Sequence, residues 1–247
     1  MILESLLPAG AAPLDVTTDE GRADLRGRYA PPAGEWLRLN LVAAVSGDAA
    51  GGDGTSDSLS NPVDRAVLAA VRDLADAVLV GAASVRTEGY RVPRSAALVV
   101  VTASGDLTGH RLDPERAERV VVVCPEAAVA TVRAALGPAV APLVTVVTLP
   151  HDGTGRLDPA AVVSLLRDRG LRSLVCEGGP TLAGQLLRDG LVDELCLTTS
   201  PVVVGSGLPA LGRERFDASR LELVQLLRDA DSALYARWTV RGGPATR

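Results

Sequence analysis

Four short stretches carry residue types suited to binding anions or moving protons, and three of them directly follow an apolar run. In the first, Leu174-Val175-Cys176 leads into Glu177-Gly178-Gly179-Pro180-Thr181. Two glycines allow close backbone approach, Thr181 can cap, and the start of a helix favours phosphate. A carboxylate beside such a place is unfavourable without a purpose, so Glu177 is the most suggestive single residue; the plainer reading is an acid that only holds the turn. In the second, Gly81-Ala82-Ala83-Ser84-Val85-Arg86 follows DAVLVG with small residues whose N–H groups can face an anion, although many strand-to-helix turns use glycine. The third, Ser60-Asn61-Pro62-Val63-Asp64, reads as a helix start with Ser or Asn as N-cap and Pro near the first position, for which a plain cap is the simpler account. The fourth is Ser46-Gly47-Asp48 with the polar, glycine-rich loop 49–62 behind it, a length that marks either a functional lid or a flexible connection. Gly205-Ser206-Gly207 is no dinucleotide fingerprint, because it leads to Leu208-Pro209 instead of a helix.

These stretches need elements to hold them, and the sequence supplies an alternation of two kinds. Apolar, often β-branched runs occupy 36–45, 76–81, 96–102, 119–124, 143–148, 173–178 and 193–205, most of them apolar on both faces as buried central strands are. Helical spacing occupies 62–75, 125–136, 157–170 and 180–190, several with Pro in the first turn and Gly at the end. Helices between strands predict parallel crossovers and an α/β fold. After Gly205 the pattern changes: 220–229 and 232–242, separated by Ala230 and Asp231, predict a closing antiparallel hairpin and hence a mixed, mostly parallel sheet flanked by helices. Residues 1–35, with their Pro and Gly clusters, read as a partly ordered N-terminal arm, and 36–247 as one domain. Ligands of such folds collect at the carboxyl ends of parallel strands, where the candidate stretches lie.

Composition removes many alternatives. All 25 basic residues are arginine, so Schiff-base lysines, the phosphate-loop lysine and the Tyr-x-x-x-Lys pair are excluded. Two histidines in turn-like sequence, His110 and His151, make no metal site, so no metal is expected. No GxSxG elbow is present. A net charge of −5 with 2% aromatic residues argues against nucleic acid. Cys124, Cys176 and Cys196 lack CxxC spacing and read as small core residues of a reducing cytoplasm. The first residues include Glu4, with no basic region and no long apolar span, so neither a signal peptide nor a membrane helix is expected.

Five stretches in order resemble the pyrimidine reductase family of riboflavin biosynthesis, whose fold is that of dihydrofolate reductase. They are Asn40 to Gly47, Leu74 to Gly81 with Ser84 to Tyr90, Leu174 to Thr181, Gly190 to Leu195, and Ser200-Pro201 with Gly205. The resemblance implies NADPH-dependent reduction of a ribosylamino-pyrimidine phosphate to its ribitylamino form, with hydride delivered to the sugar C1′. It implies cofactor contacts at Ser60 and Asp64, four residues apart on one helical face. It further implies cofactor contacts at Gly81, Ala82 and Ser84, and a pyrophosphate held by Gly178, Gly179, Thr181 and Leu182. Glu177 would be the catalytic group, accepting hydrogen bonds from pyrimidine amino groups; Asn40 and Ser46 would line the substrate pocket, and Arg86 or Arg91 would meet the substrate phosphate.

One departure stands out. The family's Ser-Leu-Asp-Gly after the first strand is here Ala44-Val45-Ser46-Gly47, and a hydroxyl cannot steady a developing cation as a carboxylate would. A pterin substrate, or an NADPH-binding protein without turnover, are the alternatives this leaves. The zinc deaminase segment of bifunctional members has no counterpart, so a stand-alone, cytoplasmic, homodimeric reductase is expected.

Overall fold

The computed structural model describes residues 1–151, 156–215 and 220–241. Its strands are β1 (Ile2–Leu7), β2 (Leu14–Asp15), β3 (Trp36–Ala44), β4 (Ala77–Gly81), β5 (Ala97–Val101), β6 (Val120–Cys124), β7 (Thr145–Thr148), β8 (Ser173–Cys176), β9 (Glu194–Ser200), β10 (Arg220–Asp229) and β11 (Leu234–Arg241). The helices are α1 (Asp19–Tyr29), α2 (Pro62–Asp73), α3 (Ala82–Thr87), α4 (Val129–Val140), α5 (Pro159–Asp168) and α6 (Pro180–Arg188). The described strands form one sheet in the order β2-β1-β10-β11-β9-β3-β8-β4-β5-β6-β7. From β9 to β7 every pairing is parallel, and from β9 outward to β2 every pairing is antiparallel. The α/β class, the mostly parallel mixed sheet and the closing hairpin are as expected; Gly242, the last residue of the expected final strand, lies outside the described residues.

Strand periodicity explains why the central runs are apolar throughout: alternate side chains enter two different cores. Val78, Val80, Val175 and Cys196 pack beneath α1, α2 and α4, while Leu39, Leu79, Leu174 and Cys176 pack beneath α5 and α6. All three cysteines are buried. The helical run expected at 125–136 begins as a 3-10 turn at Glu126–Ala128 and breaks at Gly137, whose φ of +71° is followed by Pro138.

Two expectations need correction. Residues 1–35 are not a partly ordered arm: β1 hydrogen-bonds along β10, and α1 packs Leu25 and Tyr29 into the core. Apart from Gly27, which α1 absorbs, the prolines and glycines that suggested disorder sit in the connections, at 8–13 and 31–34, and leave the intervening segments regular. The run 193–205 is also shorter as a strand, ending at Ser200, because Pro201 brings no N–H to the ladder.

What fastens α1 is charge. Glu194 is fully buried and accepts hydrogen bonds from Arg38 on β3, from Arg237 on β11 at 2.7 Å and from Trp36 Nε1 at 3.3 Å. The two arginines then donate onward to the last carbonyls of α1, Arg38 to Tyr29 at 2.7 Å and Arg237 to Arg28. One carboxylate thus bridges two cations, and these in turn satisfy a helix end. Glu194→Ala would leave both arginines without a counter-charge and is expected to cost about 3–5 kcal/mol, read as a lower urea midpoint; a loss below about 1 kcal/mol would show that the cluster is solvated and not structural.

Candidate active site

Asn61 caps α2, its side chain accepting from Val63 and Asp64 N–H groups at 2.9 Å each. That settles which residue is the cap. Asn61 is itself gripped by the hairpin, donating to Asp229 at 2.7 Å and accepting from the Tyr235 hydroxyl at 3.1 Å. Ser60 is therefore free to donate to Asp64 at 2.7 Å, and both line a cavity of about 1390 Å³ at the carboxyl ends of β3, β4 and β8. Asp64 is mostly buried, and burial raises its pKa above the ordinary carboxylate value against the opposing hydrogen bonds of Thr198 and Ser60.

From Asp64 the inner face of α2 runs through Leu68 to Arg72 at four-residue steps. Arg72 reaches across to the sheet and grips Glu177 with both prongs, Nε to Oε1 at 2.7 Å and Nη2 to Oε2 at 2.6 Å. The Tyr90 hydroxyl donates to the same Oε2, and the Arg72 guanidinium lies 5.4 Å from the Tyr90 ring centroid. The Glu177 side chain is only 3% exposed. Burial opposes the charge on Arg72, but the bonds and charge of Glu177 outweigh it and raise the pKa; burial and then the Glu177 charge hold the Tyr90 proton firmly in place. Glu177 is thus no lone carboxylate on a turn. Oε2 is filled by two donors, while Oε1 receives Arg72 alone and keeps room to accept one more N–H.

The two glycine turns meet. Gly81 N–H donates to the Gly178 carbonyl at 2.9 Å, and a side chain on Gly81 would lie 3.4 Å from the Gly179 nitrogen. A side chain on Gly179 would come within 3.0 Å of Ser84 Oγ. Gly178 holds φ +110°, a conformation closed to most residues, and the space where its side chain would stand is open. α6 begins here without a side-chain cap, so its first N–H groups are available to an acceptor in the cavity. Glycines without side chains beside uncapped N–H groups fit a diphosphate.

Of the residues expected at the site, Asn40, Arg86, Arg91, Glu177, Ser60, Asp64, Gly81, Ala82, Ser84, Gly178, Gly179, Thr181 and Leu182 all line this one cavity. Arg86 donates to the Asp106 carbonyl at 2.6 Å, Arg91 is exposed, and neither Arg91 nor the Asn40 amide has a partner among the described residues. Ser46 does not belong to the cavity wall. Its hydroxyl donates to the Val204 carbonyl at 2.7 Å, lies 2.9 Å from Asp48 Oδ2 and accepts from Val204 N–H at 3.1 Å, so it is committed to holding a loop. Asp48 completes that clasp by accepting from Ser206 at 2.8 Å and Gly207 N–H at 2.9 Å, and these hydrogen bonds lower its pKa. The loop 49–62 is held too: Asp53 accepts from Thr55 and Ser58, and Glu88 accepts from Ser56. Sequence reasoning overlooked Arg72, Tyr90 and Thr198. The four-residue stripe from Asp64 gave a signal for Arg72, whereas nothing local marks Thr198.

Among families of known proteins, residues 35–235 match the RibD C-terminal domain. The riboflavin biosynthesis protein RibD of Mycobacterium tuberculosis (strain H37Rv) is 30% identical over 196 residues, 74% of this chain and 50% of that protein. The chain therefore spans about half the length of this curated relative. Among solved structures, a pyrimidine reductase-like protein from Corynebacterium diphtheriae superposes with a TM-score of 0.72 at 21% identity, covering 84% of this chain and 92% of the other. A diaminohydroxyphosphoribosylaminopyrimidine deaminase/5-amino-6-(5-phosphoribosylamino)uracil reductase from Thermotoga maritima gives 0.66 at 20% identity, covering 90% and 62%. These structural likenesses speak for the fold. The family match extends over most of the sequence and all of the strands from β3 to β10, and the chain belongs to the RibD C-terminal domain family.

Proposed function

We propose that the chain is an NADPH-dependent reductase that converts a ribosylamino-pyrimidine phosphate to its ribitylamino form. The observation that carries this reading is the placement, in one cavity, of a glycine cradle with uncapped helix N–H groups beside a buried carboxylate locked to an arginine and a tyrosine. A cavity of about 1390 Å³ exceeds what one drug-sized ligand fills and accommodates a dinucleotide with a second molecule. NADPH would supply the hydride; the protein supplies orientation and charge.

In this reading Gly81, Gly178, Gly179 and the start of α6 hold the diphosphate. Glu177 Oε1 accepts an amino N–H of the pyrimidine, and Arg72 and Tyr90 fix the carboxylate for it. The Asn40 amide faces the same ring, and Arg91 at the rim meets the phosphate. Reduction adds hydride to the sugar carbon of a C=N bond and a proton to its nitrogen. Asp64, whose raised pKa keeps its proton to higher pH than an ordinary carboxylate, is positioned to give that proton. With Ser46 engaged elsewhere and Glu177 paired with Arg72, the Asp64 carboxylate left after that proton transfer is the group placed to pair with the protonated C=N nitrogen. The described residues contain no helix long and apolar enough to cross a membrane, and Ile2, Leu6, Leu221 and Val224 leave apolar side chains exposed along β1 and β10. The same reading places the protein in the cytoplasm as a homodimer paired through that apolar strip.

Titration of the protein fluorescence with NADPH and NADH, followed by nicotinamide absorbance after adding the ribosylamino-pyrimidine phosphate, tests the core of the proposal. NADPH-selective binding with oxidation is expected; binding with oxidation only by dihydrofolate would transfer the assignment to a pterin, and no binding would overturn it. Gly179→Leu is expected to abolish NADPH binding, since the side chain fills the cradle; an unchanged affinity would remove the diphosphate from that position. Arg72→Met should raise the pyrimidine KM at least about tenfold, a lost charge-assisted bond being worth roughly 1.5–3 kcal/mol, while NADPH affinity stays within about twofold. For Asp64 the sign follows from its raised pKa: kcat falls as pH rises through that value, and Asp64→Asn should lose this limb along with most of the rate. Sedimentation at micromolar concentration should give twice the 25.4 kDa chain mass.

A further inference from the structure

Gln185 lies in the middle of α6, 8% exposed and on the wall of the same cavity, yet its side-chain amide has no hydrogen-bond partner among the described residues. An amide that no protein group satisfies takes its hydrogen bonds from whatever occupies the space beside it, water or ligand. Its polar end is not sealed in protein either, so it faces the cavity space. A ligand group is the natural partner.

The surroundings say which group. Glu177, Arg72 and Asp64 lie on the α2 side of the sheet, whereas α6 shares the other core with α5. The reacting half of a dinucleotide must reach Glu177 and Asp64, so the half running down between α5 and α6 is the one that does not react. Gln185 is four residues beyond Thr181, about 6 Å further along the α6 axis from the diphosphate cradle. Leu157, just before α5, and Pro159 and Val162 in its first turn present apolar surface to the same cavity. Glu214, also on the cavity wall, ties the segment before α5 to the end of α6, accepting from Arg156 at 2.7 Å and from Arg188 at 2.9 Å. An apolar slot with one carboxamide at its side is a purine-binding arrangement. The carboxamide donor and acceptor match the N7 acceptor and the N6 amino donor of adenine.

We propose that Gln185 reads the adenine ring of the cofactor, distinguishing a 6-amino purine from a 6-oxo purine. This rests on the NADPH reading above and goes beyond it by naming the residue that selects the base.

The test compares NADPH with its deaminated analogue, in which hypoxanthine replaces adenine, by fluorescence titration of the whole chain. The unaltered protein is expected to prefer NADPH by roughly tenfold, one hydrogen bond in a buried site. Gln185→Leu, close in size and placed beside Leu182 and Leu186, should keep the melting temperature, weaken NADPH by about that factor and erase the preference. It should weaken 2′,5′-ADP equally and leave reduced nicotinamide mononucleotide unaffected. NADPH binding unchanged by Gln185→Leu, or a preference that survives it, would overturn the assignment to Gln185 while leaving the reductase reading intact. A loss confined to nicotinamide mononucleotide would place Gln185 against the other half and also overturn it. Failure of the unaltered protein to bind either dinucleotide would overturn both.

Discussion

The hydrogen bond from Gly81 N–H to the Gly178 carbonyl, 2.9 Å long, joins the carboxyl ends of two adjacent parallel strands at the point where each chain turns into a helix. Everything else at the site is arranged around that junction. Because neither residue has a side chain, α3 and α6 can start side by side, and the space a pair of ordinary residues would occupy stays empty above the sheet. A substitution at either glycine would fill the cradle or push the two turns apart. The parallel register of β4 with β8 is what brings the two glycine turns opposite one another, so the site depends on strand pairing laid down well below it.

A second constraint ties the sheet to α2. Glu177 continues the alternation of β8 past its last residue and so points to the same side as Val175, toward α2. A carboxylate sent there among apolar side chains needs a cation, and Arg72 answers with a bidentate grip, two turns after Asp64 on one helix face. Tyr90 closes the third side from the turn after α3. Three separate segments converge on one charge, which makes the carboxylate rigid and its orientation independent of solvent. The buried Glu194 cluster applies the same logic at the far end of the sheet, where it holds α1 instead of a ligand.

Most of this framework was legible in the residues. Central strands announced themselves through runs apolar on both faces, and helix starts through Pro62, Pro159 and Pro180. The glycine turns were recognisable because glycine after a buried strand has a local physical meaning. What escaped was whatever depended on a distant partner. The strand β1 is mostly exposed, and the greater part of its pairing is with β10, more than two hundred residues away. Ser46 stood where an aspartate was expected and so drew a substrate role, but its hydroxyl is consumed by Val204, 158 positions on. Arg72 drew no role in the sequence, because its partner Glu177 lies 105 positions away on the sheet. Local chemistry is written in the sequence; pairing across the fold is not.

The clasp of Ser46 and Asp48 on residues 204–207 bears on how the molecule assembles. It joins the loop after β3 to the loop after β9, so one rim of the cavity is built from segments at opposite ends of the sequence. Contacts of such separation gain their energy only after a long stretch of chain has been ordered. The pairing of β3 with β9 directly below spans the same separation, so this rim and the middle of the sheet are completed together once the chain has reached β9. A truncation before residue 204 would remove the far half of the clasp together with β10 and β11, so rim and antiparallel flank share one fate.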